Sequence, residues 1–231
     1  RILNAIGSSL AALLFQIAVR AGHEQGPEGA RLQLANNMAI ITAVLVPACV
    51  GCLLVLPSFE EIFVPASFHG HFARYFTVLT PALTIAALTS FAVNPIFQIA
   101  QRTSPLMIGG LVAAAANILA IHILPPTHDA GHLAMAQLVA MIAGFFAVVI
   151  YGVVHGALWP NLRTLSGILL AAVAMAVAVW PLQTMAPGPI ALAVQAMAGI
   201  CVYGGLVAIF DLAGLRSLAM ARLRARRARA A

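Results

Sequence analysis

Seven long apolar runs, separated by short segments that hold most of the charge, dictate what this chain can become: Ile2–Val19, Asn37–Pro57, Arg74–Gln101, Pro105–Leu124, Gly131–His155, Thr164–Pro181 and Pro189–Phe210. A hydrocarbon layer of roughly 30 Å takes about 20 mostly apolar residues per helix, and only helices or closed barrels satisfy the backbone there. The runs lack the period-two alternation of barrel strands and exceed their length of roughly ten residues. The expectation is an all-α, polytopic transmembrane helix bundle of about seven spans over residues 1–210, followed by a basic cytoplasmic tail at 211–231. With 62% hydrophobic and 8% charged residues, a soluble catalytic domain and a disordered chain are both excluded, and three cysteines are too few for a disulfide scaffold.

All 12 basic residues are arginines, and they divide unevenly between the two sets of loops that an odd number of spans creates. On the side of the C-terminus lie Arg20, Arg31, Arg102, Arg163, Arg216, Arg222, Arg224, Arg226, Arg227 and Arg229; only Arg1 and Arg74 lie on the other. The positive-inside rule then places the C-terminus in the cytoplasm, with Glu60–His71 and Thr127–His132 facing outward. Guanidinium groups placed this way read as topology signals and contacts to membrane lipids, with no nucleic acid implied. This orientation sends the N-terminus outward from a chain that begins with Arg, so the sequence reads as the C-terminal part of a longer one. A cleaved signal peptide at the start is the alternative, and it would export the arginine-rich tail.

The third run carries the most polar chemistry. On an ideal wheel Thr77, Thr80, Thr84, Asn94, Gln98, Gln101 and Arg102 fall within about 60° of one line. Such a face suits either hydrogen bonds between helices or the lining of a substrate cavity. Arg102 suits either a topology anchor or a cationic contact for an anionic substrate. Pro47, Pro81 and Pro95 each remove a backbone donor inside a run, which makes them candidate hinges. In the fourth run Gly109, Ala113, Ala116, Asn117 and Ala120 share a face that permits close helix approach.

Other constellations carry less. Cys49 and Cys52 form a CxxC inside an apolar helix, where they read as core residues. His69 and His71 with Glu60 and Glu61, and His128 with Asp129 and His132, have metal-ligand chemistry without a defined ligand set, so no metal is assigned. No P-loop, GxSxG, HExxH or GxGxxG motif occurs, and no cofactor is expected.

The order of several segments resembles the C-terminal half of the multidrug/oligosaccharidyl-lipid/polysaccharide flippase superfamily, in its O-antigen and polysaccharide translocase branch. They are FQIAVRAGHEQGPEGAR at Phe15–Arg31, VPACVGCLLVLP at Val46–Pro57, NPIFQIAQR at Asn94–Arg102, Asn117 in its small-residue run, and AGHLAMAQLVA at Ala130–Ala140. The resemblance covers residues 1–155, and the last two spans are similar to additional helices of some members. It implies one lobe of a two-lobed, alternating-access carrier that is not an enzyme. The cargo would be a lipid-linked oligosaccharide or polysaccharide precursor, as in lipopolysaccharide O-antigen biosynthesis, with polysaccharide-assembly proteins as further partners. The cavity would be cationic and polar, with Arg102, Arg74 and Arg20 as candidates beside the third-run stripe. The alternative is a membrane-embedded ligase or acyltransferase using His69, His71, His128 and His132 as bases.

Overall fold

A computed structural model describes residues 2–125, 130–214 and 216. The described elements are helical throughout, and six helices are long and apolar enough to cross a membrane, which makes this a multi-pass membrane protein. His128, Asp129 and the tail arginines Arg222 to Arg229 lie outside the described residues.

The first of the six helices contains two of the expected runs. α1 (Ile2–Leu54) is helical on both sides of Gly26, whose φ of 75° and ψ of −172° break it. A straight helix would hold residues 14 and 37 about 35 Å apart. Instead the buried Asn37 Nδ2 donates to the Leu14 carbonyl at 2.7 Å, so the two arms, 2–25 and 27–54, fold back on each other as a hairpin. Glycine is needed at the tip because only it adopts that conformation freely, and Pro27 opens the second arm where its missing N–H has no helical partner anyway. The polar segment between Arg20 and Asn36 was expected as a loop, but it is helical up to and beyond Gly26. Its residues other than Gly26 and Pro27 are compatible with helix, and one break suffices to reverse the chain.

After α2 (Leu56–Phe63), a 3-10 turn at Ala66–Phe68 leads to α3 (His71–Leu88). A π-helical turn at Thr89–Val93 separates α3 from α4 (Asn94–Ile99). α5 (Ser104–Ile123) and α6 (Gly131–Val154) form a closely packed antiparallel pair, and α7 (Leu162–Val179) and α8 (Pro189–Phe210) form another. The core joins Leu14 of the first arm, Ile41 and Leu45 of the second, Ala87, Val93 and Phe97 of the α3–α4 run, and Val148 of α6. A smaller cluster of Leu54, Met175 and Val179 docks the α7–α8 pair on the end of the second arm. Large apolar side chains remain exposed around the bundle, among them Leu111, Ile123, Leu162 and Ile190. That outward apolar surface is what a lipid-facing helix bundle requires.

The ends differ in charge. The tip of the α1 hairpin and the ends of α4 and α6 line one cavity, while the starts of α3 and α6 meet the end of α5 at the opposite end. Arg20, Arg31, Arg102, Arg163 and Arg216 therefore gather at one end of the bundle, and Arg74 sits at the other.

At the Arg74 end, Glu60 has a structural task. Its Oε1 accepts from the N–H groups of Gly70 and Ala73 at 2.7 and 3.2 Å, so a side chain of α2 caps the start of α3. Those orphan donors favour a carboxylate. His69 is held in the same corner, with Nε2 2.8 Å from the Val64 carbonyl and Nδ1 3.8 Å from Glu61. Glu60→Ala is expected to destabilise the protein by about 1 kcal/mol. A thermal unfolding midpoint in detergent that does not move would show that the cap contributes nothing.

Candidate functional site

The stripe residues of the third run do not stay on one line. Thr80 and Thr84 are buried and Thr77 is exposed, and two of the hydroxyls bond their own helix: Thr77 Oγ1 to the Ala73 carbonyl and Thr84 Oγ1 to the Thr80 carbonyl, each at 2.8 Å. This back-bonding is how a threonine satisfies its hydroxyl where no water is at hand. The π turn at Thr89–Val93 then accommodates an extra residue, which rotates everything after it by about 100° relative to the wheel. Asn94, at the start of α4, has a buried Oδ1 without a hydrogen-bond partner among the described residues. Gln98 is exposed on α4, whereas Gln101 and Arg102 lie beyond its end, where a helical wheel no longer applies. The candidate hinges Pro47 and Pro81 lie within α1 and α3, and Pro95 is the second residue of α4.

What the structure does bring together is a cavity of about 300 Å³ at the arginine-rich end, which places Arg102 beside Arg31 and His155. Three backbone devices build it. The Gly26 break starts the second arm so that Pro27, Arg31 and Leu34 face the cavity from one side. α4 ends in a Schellman cap: Arg102 N–H donates to the Phe97 carbonyl at 2.9 Å and Gln101 N–H to the Gln98 carbonyl at 3.1 Å. Gln101 takes the left-handed conformation at φ 53°, which turns the chain and aims Arg102 away from the helix axis. α6 ends the same way, with Ala157 N–H bonding the Gly152 carbonyl at 2.9 Å, Gly156 N–H bonding the Val153 carbonyl at 3.2 Å, and Gly156 at φ 71°.

The electrostatics of this cavity are one-sided. Its lining includes two arginines, a histidine and no acidic residue. Among the described residues neither Arg31 nor Arg102 forms an ion pair. His155 is stacked on Tyr151 with ring centroids 3.9 Å apart, and its Nδ1 lies 2.8 Å from the Tyr151 carbonyl. A carbonyl only accepts, so Nδ1 carries the hydrogen, and Nε2 is left for another partner. Two guanidinium forks and an imidazole without a carboxylate suit an anion with several oxygens, such as a phosphate or diphosphate.

The other expected cations are elsewhere. Arg20 Nε is paired with Glu24 Oε1 at 2.7 Å on an exposed face, and Arg74 lines a separate cavity of about 240 Å³ with His132 at the opposite end. A larger cavity of about 570 Å³ between α7 and α8 is mostly apolar, with Arg163 and Asp211 both in its lining. Sequence reasoning passed over Arg31 and His155, treating one as a loop charge and the other as the end of a run. The signals were present: Gly26–Pro27 is a helix restart, and Gly156 is the glycine that ends α6.

No family model and no curated protein sequence matches the chain. Among solved structures it is similar to the lipid II flippase MurJ in an inward closed conformation, with a TM-score of 0.74 and 15% sequence identity. The match covers 90% of this chain and 44% of that one, so the chain spans less than half the length of the flippase. At that identity the likeness speaks for backbone architecture, and the architecture it assigns is that of part of a MurJ-like transporter fold.

Proposed function

We propose that the chain is one lobe, the C-terminal one, of a carrier in the multidrug/oligosaccharidyl-lipid/polysaccharide superfamily. It carries a lipid-linked oligosaccharide or polysaccharide precursor, of the O-antigen type, across the bacterial inner membrane. The observation that carries this reading is the fold, which over nine-tenths of the chain follows a protein named for flipping a lipid. The cavity at the arginine-rich end supports it independently. Arg31, Arg102 and His155 offer donors to the anionic group that joins lipid to saccharide, and the positive-inside rule turns that end toward the cytoplasm, where such a precursor would load. The polar positions Thr77, Thr80, Thr84, Asn94, Gln98 and Gln101 would line the path from that end, with Pro47, Pro81 and Pro95 as bending points. Membrane lipids and polysaccharide-assembly proteins are the proposed neighbours. The reading of His69 as a catalytic base has little support, because its ring already bonds the Val64 carbonyl beside Glu61.

The test is complementation. The full-length protein, expressed in a strain lacking its own polysaccharide flippase, is expected to restore surface polysaccharide. Correct insertion with no polysaccharide at the surface and precursor accumulating inside would reject the reading.

A further inference from the structure

Pro47 leaves a gap in the second arm of α1 that can be located to one atom. In a helix the N–H of each residue bonds the carbonyl four residues back, and proline has none to give, so the Ala43 carbonyl loses its donor. Ala43 is 1% exposed, and an unpaired carbonyl at that depth would be costly. The missing donor arrives from the other end of the sequence: Tyr203 Oη of α8 donates to the Ala43 carbonyl at 2.6 Å.

We propose that Tyr203 is a positioning residue, a latch that fixes the angle of the helix at Pro47 by standing in for the absent backbone donor. The ring is seated where α8 meets α7 and the second arm, packed on the cluster of Leu54, Met175 and Val179. The same helix pair also serves the end of that arm. Gln183 Nε2, just after α7, donates to the carbonyl of Leu54, the last residue of α1, at 2.9 Å. The buried Gln195 of α8 receives Ser58 Oγ at 3.4 Å and donates to the Leu182 carbonyl at 3.0 Å. The last two spans are thus tied to the second arm at its end through Gln183 and at its proline through Tyr203, and to α2 through Gln195 and Ser58. Loss of the Tyr203 bond would leave the buried Ala43 carbonyl without a donor and the helix at Pro47 freer to change its angle, while the end of the arm stays held by Gln183.

A double-mutant cycle on the full-length protein tests this, in a background with Cys49, Cys52 and Cys201 replaced by alanine. Spin labels at Leu32 and Ile209, both exposed, report the distance between the arginine-rich ends of the second arm and α8. With Pro47 in place, Tyr203→Phe is expected to shift the balance of arm angles read in the distance distribution roughly fivefold, the weight of one hydrogen bond, and to lower the unfolding midpoint by about 2–4 °C. Pro47→Ala restores the backbone N–H to Ala43, so in that background the same Tyr203→Phe change should alter neither the distance distribution nor the midpoint. An equal effect of Tyr203→Phe in both backgrounds, or none in either, would overturn the proposal. Neither readout requires transport, so this result is separable from the carrier reading.

Discussion

Gly144→Val is expected to destroy most of the folded protein recovered from membranes, whereas Gly110→Val, on the same helix pair, is expected to leave it nearly intact. α6 presents Ala136, Ala140, Gly144, Val148 and Gly152 at every fourth position, all buried, and α5 answers with Gly109 and Ala113. A Cβ added at Gly144 would stand 2.9 Å from Ala113 Cβ and 3.0 Å from the Gly109 carbonyl oxygen. One added at Gly109 would run into Val148 Cγ2. At Gly144 the neighbours are a backbone oxygen and an alanine Cβ, neither of which a rotamer change can move aside. In a bilayer the helices are held by close packing, since lipid tails are as apolar as the side chains. Opening the seam for a valine should cost about 3 kcal/mol or more, at the upper edge of overpacking penalties. Gly110 has nothing within 4 Å of the position its Cβ would take, so its substitution should stay within about 0.5 kcal/mol. The monodisperse fraction in size-exclusion chromatography after graded heating in detergent measures both. Equal survival of the two variants would mean that the α5–α6 seam is not where the bundle is held.

That seam was legible in the amino-acid sequence because it depends on a local regularity. Gly109, Ala113 and Ala120 recur at helical spacing, and small residues on one face have few uses in a membrane other than close approach. The spans were legible for a similar reason, since apolar length is a property of each run by itself. The π turn was not. On an ideal wheel Thr89 stands opposite the stripe of Thr77, Thr80 and Thr84, and in the structure it opens the turn at which α3 stops following that wheel, with Oγ1 bonding the Ile85 carbonyl at 2.8 Å. The hairpin tip was misread because its polar residues resemble a loop by composition, although a single Gly–Pro step reverses the chain without one. Neither the Arg31–Arg102–His155 cavity nor the Tyr203–Ala43 bond could be reached from local pattern, because each joins elements 50 to 160 residues apart and depends on how the helices pack.

Under the carrier reading proposed above, removing both guanidinium groups from the cavity should have the largest effect on activity. Arg102→Ala alone is expected to lower transport about tenfold, and Arg31→Ala with Arg102→Ala about a hundredfold, with abundance and insertion unchanged. The argument is one of unmatched charge. Two arginines facing a common cavity with no carboxylate repel each other unless an anion lies between them, so binding relieves that repulsion as well as forming new bonds. Arg102→Lys should recover only part of the loss, because an ammonium cannot make the paired, planar contact of a guanidinium with a phosphate. Arg20→Ala is the control: its partner Glu24 is one helical turn away on an exposed face, and its removal should change transport little. Surface-polysaccharide yield, normalised to the amount of inserted protein, reads all four variants. If Arg102→Ala lowers insertion as much as transport, Arg102 is an anchor for the topology of the bundle, and the anionic group of the substrate must be held by other residues.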